Sequence, residues 1–245
     1  AFRMFMKPIL KEINLSFSEI QKDTSEYLGR NEDNLRWIAK KKYLSKNLRK
    51  IISQVDTYME KGKRIKDERG HKIVRLNLNE EIFIIKKYQI KGLLHYLRKF
   101  FSQTRAFTAW KASHWFNAAG IKTFNIVAVI ERYNSLTTTE SYLISLNQPG
   151  ERLDEVDLNK QKEHLIENRL SSFFKRLRWI GFNHGDAKSS NFILFKKELF
   201  VFDLDISKKR FLKFRVKNKI IKDQRRLLKS FEEHKKTKDS LIKRF

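Results

Sequence analysis

A run of side chains between His184 and Asp203 combines the residue types that phosphoryl transfer requires. Asp186 is followed by Lys188 two residues later and by Asn191 five residues later, and Asp203 closes the next apolar segment. A carboxylate can orient an attacking hydroxyl, a cation can offset charge on the phosphoryl group, and an amide with a second carboxylate can hold metal ions. The spacing predicts a kinase, because a loop followed by a β-hairpin would bring these side chains together.

The part of the chain around this loop is predicted to be mainly helical. Apolar residues recur three or four positions apart from Leu165 to Ile180, and a similar pattern runs from about Asn218 to Phe245. The segment 147–150 contains the dipeptide Pro149-Gly150 and is the best candidate for a linker. We therefore expect a compact, mainly helical domain over residues 148–245.

The preceding part of the chain favours an antiparallel sheet. Alternating apolar segments predict a three-stranded meander, then a long helix that Gly120 ends, and then two further strands. Five strands with one helix after the third are typical of the small lobe of a protein kinase. The predicted fold class is therefore α+β, a bilobal protein-kinase-like fold with a small antiparallel-sheet N-lobe, residues 61–147, and the helical C-lobe. The predicted segments are 64–67, 71–78 and 82–88 for the meander, 91–119 for the helix, and 124–131 and 141–146 for the later strands.

Residues 1–60 are expected to form a basic helical extension. Between Asn34 and Met59, apolar residues recur mostly three or four apart, and Lys and Arg occupy the intervening positions. Such an amphipathic helix or helix pair would pack on the body of the protein or lie on an anionic membrane.

Two lysines follow the apolar run of the third predicted strand, at Lys86 and Lys87. Side chains alternate across a strand, so only one of them can point into a cleft. Kinases use a lysine in this position to grip the nucleotide phosphates.

Composition restricts the function classes. The 245-residue chain has a formal net charge of +26 and no cysteine, which excludes disulfides, Cys-based zinc sites and thiol nucleophiles. The longest uncharged apolar stretch near the middle, residues 124–130, is far shorter than the roughly 20 residues of a membrane span, and no signal peptide is expected. The charge favours an anionic partner, namely nucleic acid, an acidic membrane or a phosphorylated substrate, unless it reflects a lysine-rich composition alone.

Several of these segments, in this order, resemble the bacterial lipopolysaccharide core kinase family, whose members phosphorylate Kdo or heptose sugars of the inner core. The resemblance covers roughly residues 64–229. It is carried by the His-Gly-Asp loop and by residues 83–88, 104–106 with Trp110, 119–123, 131–132, 141–144 and 202–205.

The resemblance implies ATP with Mg²⁺ and a sugar hydroxyl acceptor on lipopolysaccharide inner core and lipid A. It also implies a cytoplasmic protein bound peripherally to the anionic inner face of the inner membrane, with no nucleic-acid partner. By position, Asp186 matches the catalytic base, Lys188 a charge stabiliser, Asn191 and Asp203 the metal ligands, and Lys86 the phosphate-binding lysine.

The sequence departs from the kinase pattern at several positions. Gly70 alone marks the expected nucleotide-covering turn, and Ala109 stands near the position of the usual glutamate partner of the lysine. Glu131 is the candidate replacement partner for Lys86, and the pair Asp203 and Asp205 leaves the metal ligand ambiguous. An inactive nucleotide-binding relative is therefore an alternative.

Two further functions fit parts of the sequence. A small-molecule kinase of the aminoglycoside or choline kinase type shares the His-Gly-Asp loop, although the compact C-terminal part leaves little room for the helical insertions of those enzymes. A basic nucleic-acid-binding protein would explain the charge but not the ordered set of Lys86, Asp186, Asn191 and Asp203.

Overall fold

The computed structural model describes residues 24–32, 34–68, 71–89, 103–134, 137–157, 160–210 and 212–231. These residues form two compact units. Unit 1 contains the described parts of residues 1–110 and 125–147, and unit 2 contains the described parts of residues 111–124 and 148–245. Helices and largely antiparallel sheets occur together, so the predicted α+β class is confirmed.

The helices and strands follow each other along the chain in a mixed order. They are β1 (Tyr27–Glu32), β2 (Leu35–Lys40), α1 (Lys46–Ser53), α2 (Val55–Lys61), β3 (Lys63–Glu68), β4 (His71–Leu78), β5 (Glu81–Gln89), α3 (Arg105–Ala118), β6 (Lys122–Thr123), β7 (Ile126–Asn134), β8 (Thr137–Leu146), β9 (Glu151–Arg152), α4 (Lys160–Ile180), β10 (Phe182–Asn183), β11 (Phe192–Phe195), β12 (Glu198–Val201), β13 (Lys208–Lys209) and α5 (Lys213–Lys229).

Unit 1 is built on a seven-stranded antiparallel sheet with the strand order β1-β2-β7-β8-β5-β4-β3. The predicted meander is confirmed as β3, β4 and β5, and the two later strands are confirmed as β7 and β8. The sheet therefore contains the five predicted strands and two more, β1 and β2, at one edge.

The prediction of helix from Asn34 to Met59 is wrong for its first part. Residues 35–40 form β2, which pairs with β7, a short 3-10 helix follows at Lys41–Tyr43, and α-helix begins at α1. Trp37 and Ile38 are neighbours in β2 and both are buried. Since neighbouring side chains of a strand point to opposite faces, β2 is apolar on both faces and lacks the alternation that identifies a strand. Ser45 starts α1 by accepting a hydrogen bond from the Leu48 N–H at 3.2 Å.

Helices cover both faces of the unit 1 sheet. One face packs on α1 and α2, and the other packs on the first turns of α3. Alternation along β5 points residues 83, 85 and 87 towards α1 and α2, and residues 84, 86 and 88 towards α3. The first layer includes Ile51, Val55, Phe83 and Ile85, and the second includes Tyr88, Phe107, Trp110 and Val129.

Helix α3 ends as predicted at a glycine. Gly120 has φ +73°, a conformation that glycine adopts readily. The N–H groups of Gly120 and Ile121 donate to the carbonyls of Asn117 and Phe116 at 2.9 and 2.8 Å, which closes the helix end in a Schellman motif. The first part of the predicted helix, residues 91–102, lies outside the described residues.

Unit 2 contains a four-stranded sheet in the order β6-β12-β11-β9 and a two-stranded ribbon of β10 and β13. The apolar stripe predicted before the His184 loop is confirmed as the buried face of α4. The predicted C-terminal helix is present as α5, and residues 232–245 lie outside the described part. Aromatic rings 5.2 to 6.4 Å apart form the core, namely Phe116, Phe173, Phe182 and Phe192.

Within the described ranges, no helix has both the length and the apolar character needed to cross a membrane.

Candidate active site

The predicted catalytic loop of unit 2 spans residues 184–191 and connects β10 to β11. The Asp186 carboxylate lies between two cations, with Lys188 Nζ 3.6 Å from Oδ2 and Arg226 Nη1 3.5 Å from Oδ1. The side-chain amide of Asn191 donates to the Asp186 carbonyl at 2.8 Å and to Oδ2 at 3.3 Å. The structure thus brings Asp186, Lys188 and Asn191 together and adds Arg226, which the sequence analysis missed.

A buried histidine shapes the backbone of this loop. His184 Nδ1 accepts the Asp186 N–H at 3.2 Å, and Nε2 lies 3.0 Å from the carbonyl oxygen of Phe202. The ring proton therefore belongs on Nε2, where it can be donated to that carbonyl. Burial lowers the pKa of His184, which favours the same neutral form. His184 thus links the catalytic loop to the residue before Asp203.

Asp223 of α5 anchors the start of the loop. Its buried carboxylate accepts the backbone N–H of His184 at 2.8 Å and that of Gly185 at 3.0 Å. Arg226, one turn further along α5, donates to the Gly185 carbonyl. Helix α5 therefore holds the loop through the backbone groups of His184 and Gly185. It holds Asp186 through the ion pair between Arg226 and the Asp186 carboxylate.

Asp203 follows β12 in an uncommon backbone conformation. Its φ is +62°, a left-handed value that Asp and Asn tolerate better than most residues and that often marks a functional constraint. The Phe202 N–H donates to the Asn191 carbonyl at 3.1 Å, so the backbone joins the two predicted metal-ligand segments. Asp205 is buried at 4% exposure, whereas Asp203 is half-buried. Of the two carboxylates, Asp203 is the more accessible to a ligand.

The donor chemistry of Asn191 and Asp203 fits a magnesium ion. The Asn191 amide nitrogen is directed to Asp186, which leaves the amide oxygen as the ligand atom. Mg²⁺ is usually held by one or two carboxylates together with substrate phosphates, rather than by a protein cage. Among the residues that the structure describes, no group of three His, Cys, Asp or Glu side chains is arranged as a metal site.

In unit 1, the two adjacent lysines of β5 have different surroundings. Lys87 points towards α2 and forms ion pairs with Asp56 at 3.1 Å and Glu140 at 2.8 Å. Lys86 lies on the α3 face, with Nζ 5.0 Å from the centroid of the Tyr88 ring. Since Lys87 is only 13% exposed and bound to two carboxylates, Lys86 is the better candidate for binding phosphates.

Glu131, the predicted partner of Lys86, has other partners in unit 1. Its buried carboxylate accepts a hydrogen bond from Thr104 and pairs with Arg36 Nη2 at 3.3 Å. Burial raises the pKa of Glu131, against the opposing influence of Thr104 and Arg36. Glu131 lies on the same sheet face as Lys86, opposite Ser141, and its role towards that lysine stays a prediction. Gly70 lies outside the described residues.

The α+β fold, together with Asp186 and Asn191 in the loop of residues 184–191, is typical of a kinase-like protein. A solved structure described as WaaP in complex with acyl carrier protein has a similar fold, with a TM-score of 0.59 and 17% sequence identity, over 82% of this chain and 86% of that chain.

The sequence itself identifies the family. The family model described as the lipopolysaccharide kinase (Kdo/WaaP) family matches residues 58–243, which is more than half of the chain. The chain therefore belongs to this family, and the resemblance found in its sequence is confirmed. No curated protein matches it.

Proposed function

We propose that this chain is an ATP-dependent kinase that phosphorylates a hydroxyl of Kdo or heptose in the lipopolysaccharide inner core. Membership of the lipopolysaccharide kinase family supports an acceptor of this class. The observation that carries the proposal is the Asp186 carboxylate, fixed between Lys188 and Arg226 in a hydrogen-bonded loop. A carboxylate held in this way can orient an acceptor hydroxyl for attack on a phosphoryl group.

In the proposed reaction, Asp186 accepts the proton of the sugar hydroxyl. The hydroxyl oxygen attacks the γ-phosphorus of ATP, and the bond between the γ-phosphorus and the leaving oxygen of ADP breaks. Lys188 offsets the negative charge that develops on the transferring group. Asn191 and Asp203 would hold Mg²⁺, which supplies charge neutralisation for the ATP phosphates when bound. Lys86 is assigned to phosphate binding, and residues 61–147 and 148–245 are assigned to the two lobes of a bilobal kinase.

We place the reaction at the cytoplasmic face of the inner membrane, with the protein bound peripherally. The net charge of +26 supports this location, because lipid A phosphates and anionic lipids would meet a strongly cationic protein. Each Lys or Arg near such a surface contributes on the order of 1 kcal/mol.

The test is transfer of labelled γ-phosphate from Mg-ATP to purified deep-rough lipopolysaccharide. Asp186→Ala and Asp203→Ala should each abolish labelling. Asp157→Ala, at an exposed carboxylate of the same unit, is the matched control and should retain it.

Other outcomes would redirect the assignment. Label in an aminoglycoside or choline but not in lipopolysaccharide would identify a small-molecule kinase. Nucleotide binding with no transfer to any of these acceptors would identify an inactive relative. Absence of nucleotide binding, with salt-dependent binding to nucleic acid, would support the basic nucleic-acid-binding protein.

A further inference from the structure

Large apolar side chains of unit 2 are exposed near its two-stranded ribbon. Trp179 is 56% exposed, Ile206 39%, Leu212 47% and Phe214 61%. Across the ranges that the structure describes, the other large apolar side chain with this exposure is Ile65 of unit 1, at 56%. Single exposed apolar residues are ordinary, but a concentration of them marks an interaction surface.

The ribbon connects this exposed surface to the catalytic loop. At one end of the ribbon, the Arg210 N–H donates to the Gly181 carbonyl at 2.7 Å. Trp179 precedes Gly181 by two residues, and Leu212 follows Arg210 by two, so both belong to this end. At the other end, β10 leads directly into the His184 loop. The four residue steps from Gly181 to Gly185 correspond to about 13 Å of extended chain.

The start of α5 breaks two local rules of helix stability at this surface. Its N-cap is Leu212, which forms no side-chain cap hydrogen bond, and its first turn contains no acidic residue. Ser, Thr, Asp or Asn at an N-cap stabilises a helix by about 1 kcal/mol relative to an apolar residue. Lys213 and Arg215 also place positive charge at the positive end of the helix dipole. Local exceptions of this kind concentrate at functional positions.

We propose that Trp179, Leu212 and Phe214, with Lys213 and Arg215, form a lipid-docking patch for an anionic bilayer surface. The apolar side chains enter the boundary between headgroups and acyl chains, and the cations contact the anionic headgroups. Trp suits this position because its amphipathic ring partitions to the interface, and Phe and Leu are common on the apolar face of interfacial helices.

Charge complementarity extends beyond the patch along α5. The helix is rich in Lys and Arg, and its one acidic residue, Asp223, is buried against the catalytic loop. The exposed surface of α5 is therefore entirely cationic among its charged side chains. An anionic bilayer matches both the exposed apolar residues and this charge.

The inference rests on the proposed function in one respect, which is that the acceptor is anchored in lipid. Docking through the patch would hold the start of the catalytic loop close to the bilayer surface, because at most about 13 Å of extended chain separates Gly181, at this end of the ribbon, from Gly185. A sugar close to the lipid headgroups is within that range, whereas the acyl chains need not enter the active site.

The test is sedimentation of the full chain with phosphatidylcholine vesicles that contain or lack phosphatidylglycerol. The variant combines Leu212→Ser with Phe214→Ser. The serine at position 212 supplies a good N-cap, so weakened binding cannot be attributed to loss of α5. We expect vesicle affinity to fall by about tenfold or more, because the burial of two large apolar side chains is lost.

Ile65→Ser is the matched control, since it removes an equally exposed apolar side chain from unit 1. Its vesicle affinity should equal that of the unmodified protein. Lys213→Gln with Arg215→Gln should reduce the preference for anionic vesicles. Wild-type affinity of the Leu212/Phe214 variant, or an equal loss in Ile65→Ser, would overturn the proposal.

A second readout separates this inference from the proposed function. Phosphorylation of a soluble, delipidated core oligosaccharide should be unchanged in the Leu212/Phe214 variant, and phosphorylation of vesicle-embedded lipopolysaccharide should be reduced. An inactive protein whose vesicle binding still depends on Phe214 would contradict the kinase assignment alone. An active kinase whose vesicle binding does not depend on Phe214 would contradict only the proposal of a docking patch.

Discussion

Replacing Asp223 by asparagine would weaken the anchor of the catalytic loop while preserving side-chain shape. Asp223 is 2% exposed, and its carboxylate accepts the His184 N–H at 2.8 Å and the Gly185 N–H at 3.0 Å. Hydrogen bonds to charged groups contribute about 1.5–3 kcal/mol, and neutral ones about 1 kcal/mol. Loss of the charge should therefore reduce the free energy of unfolding by about 2 kcal/mol over the two bonds.

Asp223→Ala should be more destabilising than Asp223→Asn. It leaves two buried N–H groups without an acceptor, at about 1–3 kcal/mol each, or about 2–6 kcal/mol together. Urea denaturation followed by tryptophan fluorescence would give both free energies of unfolding. We expect the free energy of unfolding to be lowest for Asp223→Ala, higher for Asp223→Asn and highest for the wild-type protein.

Asp223→Asn should reduce the rate of phosphoryl transfer more than it reduces the affinity for ATP. Asp186 follows Gly185 directly, so a shift of the loop displaces the carboxylate, and a misplacement of about 1 Å can reduce the rate about 100-fold. We expect kcat to fall by this factor, with a smaller change in the KM for ATP. Steady-state phosphorylation at a temperature where the variant is fully folded would measure both.

Lys222→Asn is the control for Asp223→Asn, because it changes an exposed neighbour on the same helix. An Asp223→Asn protein with wild-type unfolding free energy and wild-type kcat would refute the anchoring role.

Three further predictions concern unit 1 and the end of α3. Lys86→Ala should raise the KM for ATP at least tenfold in steady-state assays and change the free energy of unfolding less than Lys87→Ala does. Lys87→Ala should lower the free energy of unfolding by about 2 kcal/mol, because, among the described residues, Asp56 and Glu140 each lose one of their two cations and retain only Arg132. Burial acts to raise the pKa of Asp56, but hydrogen bonds from a tyrosine, an arginine and Lys87 outweigh it and lower the pKa from 3.8 to about 2. A carboxyl whose folded pKa is depressed stabilises the protein above its unfolded pKa, so this contribution should be lost as pH falls from about 4 to about 2, and Asp56→Asn should flatten stability over that window. Gly120→Ala should reduce the free energy of unfolding by about 1–2 kcal/mol, because φ is positive and the added carbon would meet the Arg176 guanidinium; denaturation curves measure it.

The sequence predicted those strands of unit 1 whose apolar residues alternate. Val74 and Leu76 of β4 follow this pattern, and the turn after β4 contains Asn79. β2 was assigned to a helix because Leu35 and Ile38 are three residues apart, which fits a helical period. β1 (Tyr27–Glu32) ends in polar residues and shows no period at all, so its place in the sheet depends on pairing with β2.

The candidate site was predictable where its residues are close in sequence. Asp186, Lys188 and Asn191 lie within one loop, so their spacing alone carried the prediction. Asp223 and Arg226 reach this loop from α5, and nothing in the sequence of the loop itself points to either of them. The one available signal was the position of a lone acid among cations, at Asp223.

The region that the family model matches begins later in the chain than the sheet of unit 1. The matched region begins at residue 58, inside α2, whereas the unit 1 sheet extends back to β1. Residues before 58 supply the edge strand β1, its neighbour β2, and α1. Helix α1 shields Phe83, Ile85 and Tyr142, which are all fully buried. A chain shortened to the matched region would expose these side chains to water and open a central strand of the sheet as a new edge. The minimal autonomous domain of this kinase therefore includes the segment from residue 27 to residue 57, which the boundaries of the family alone would discard.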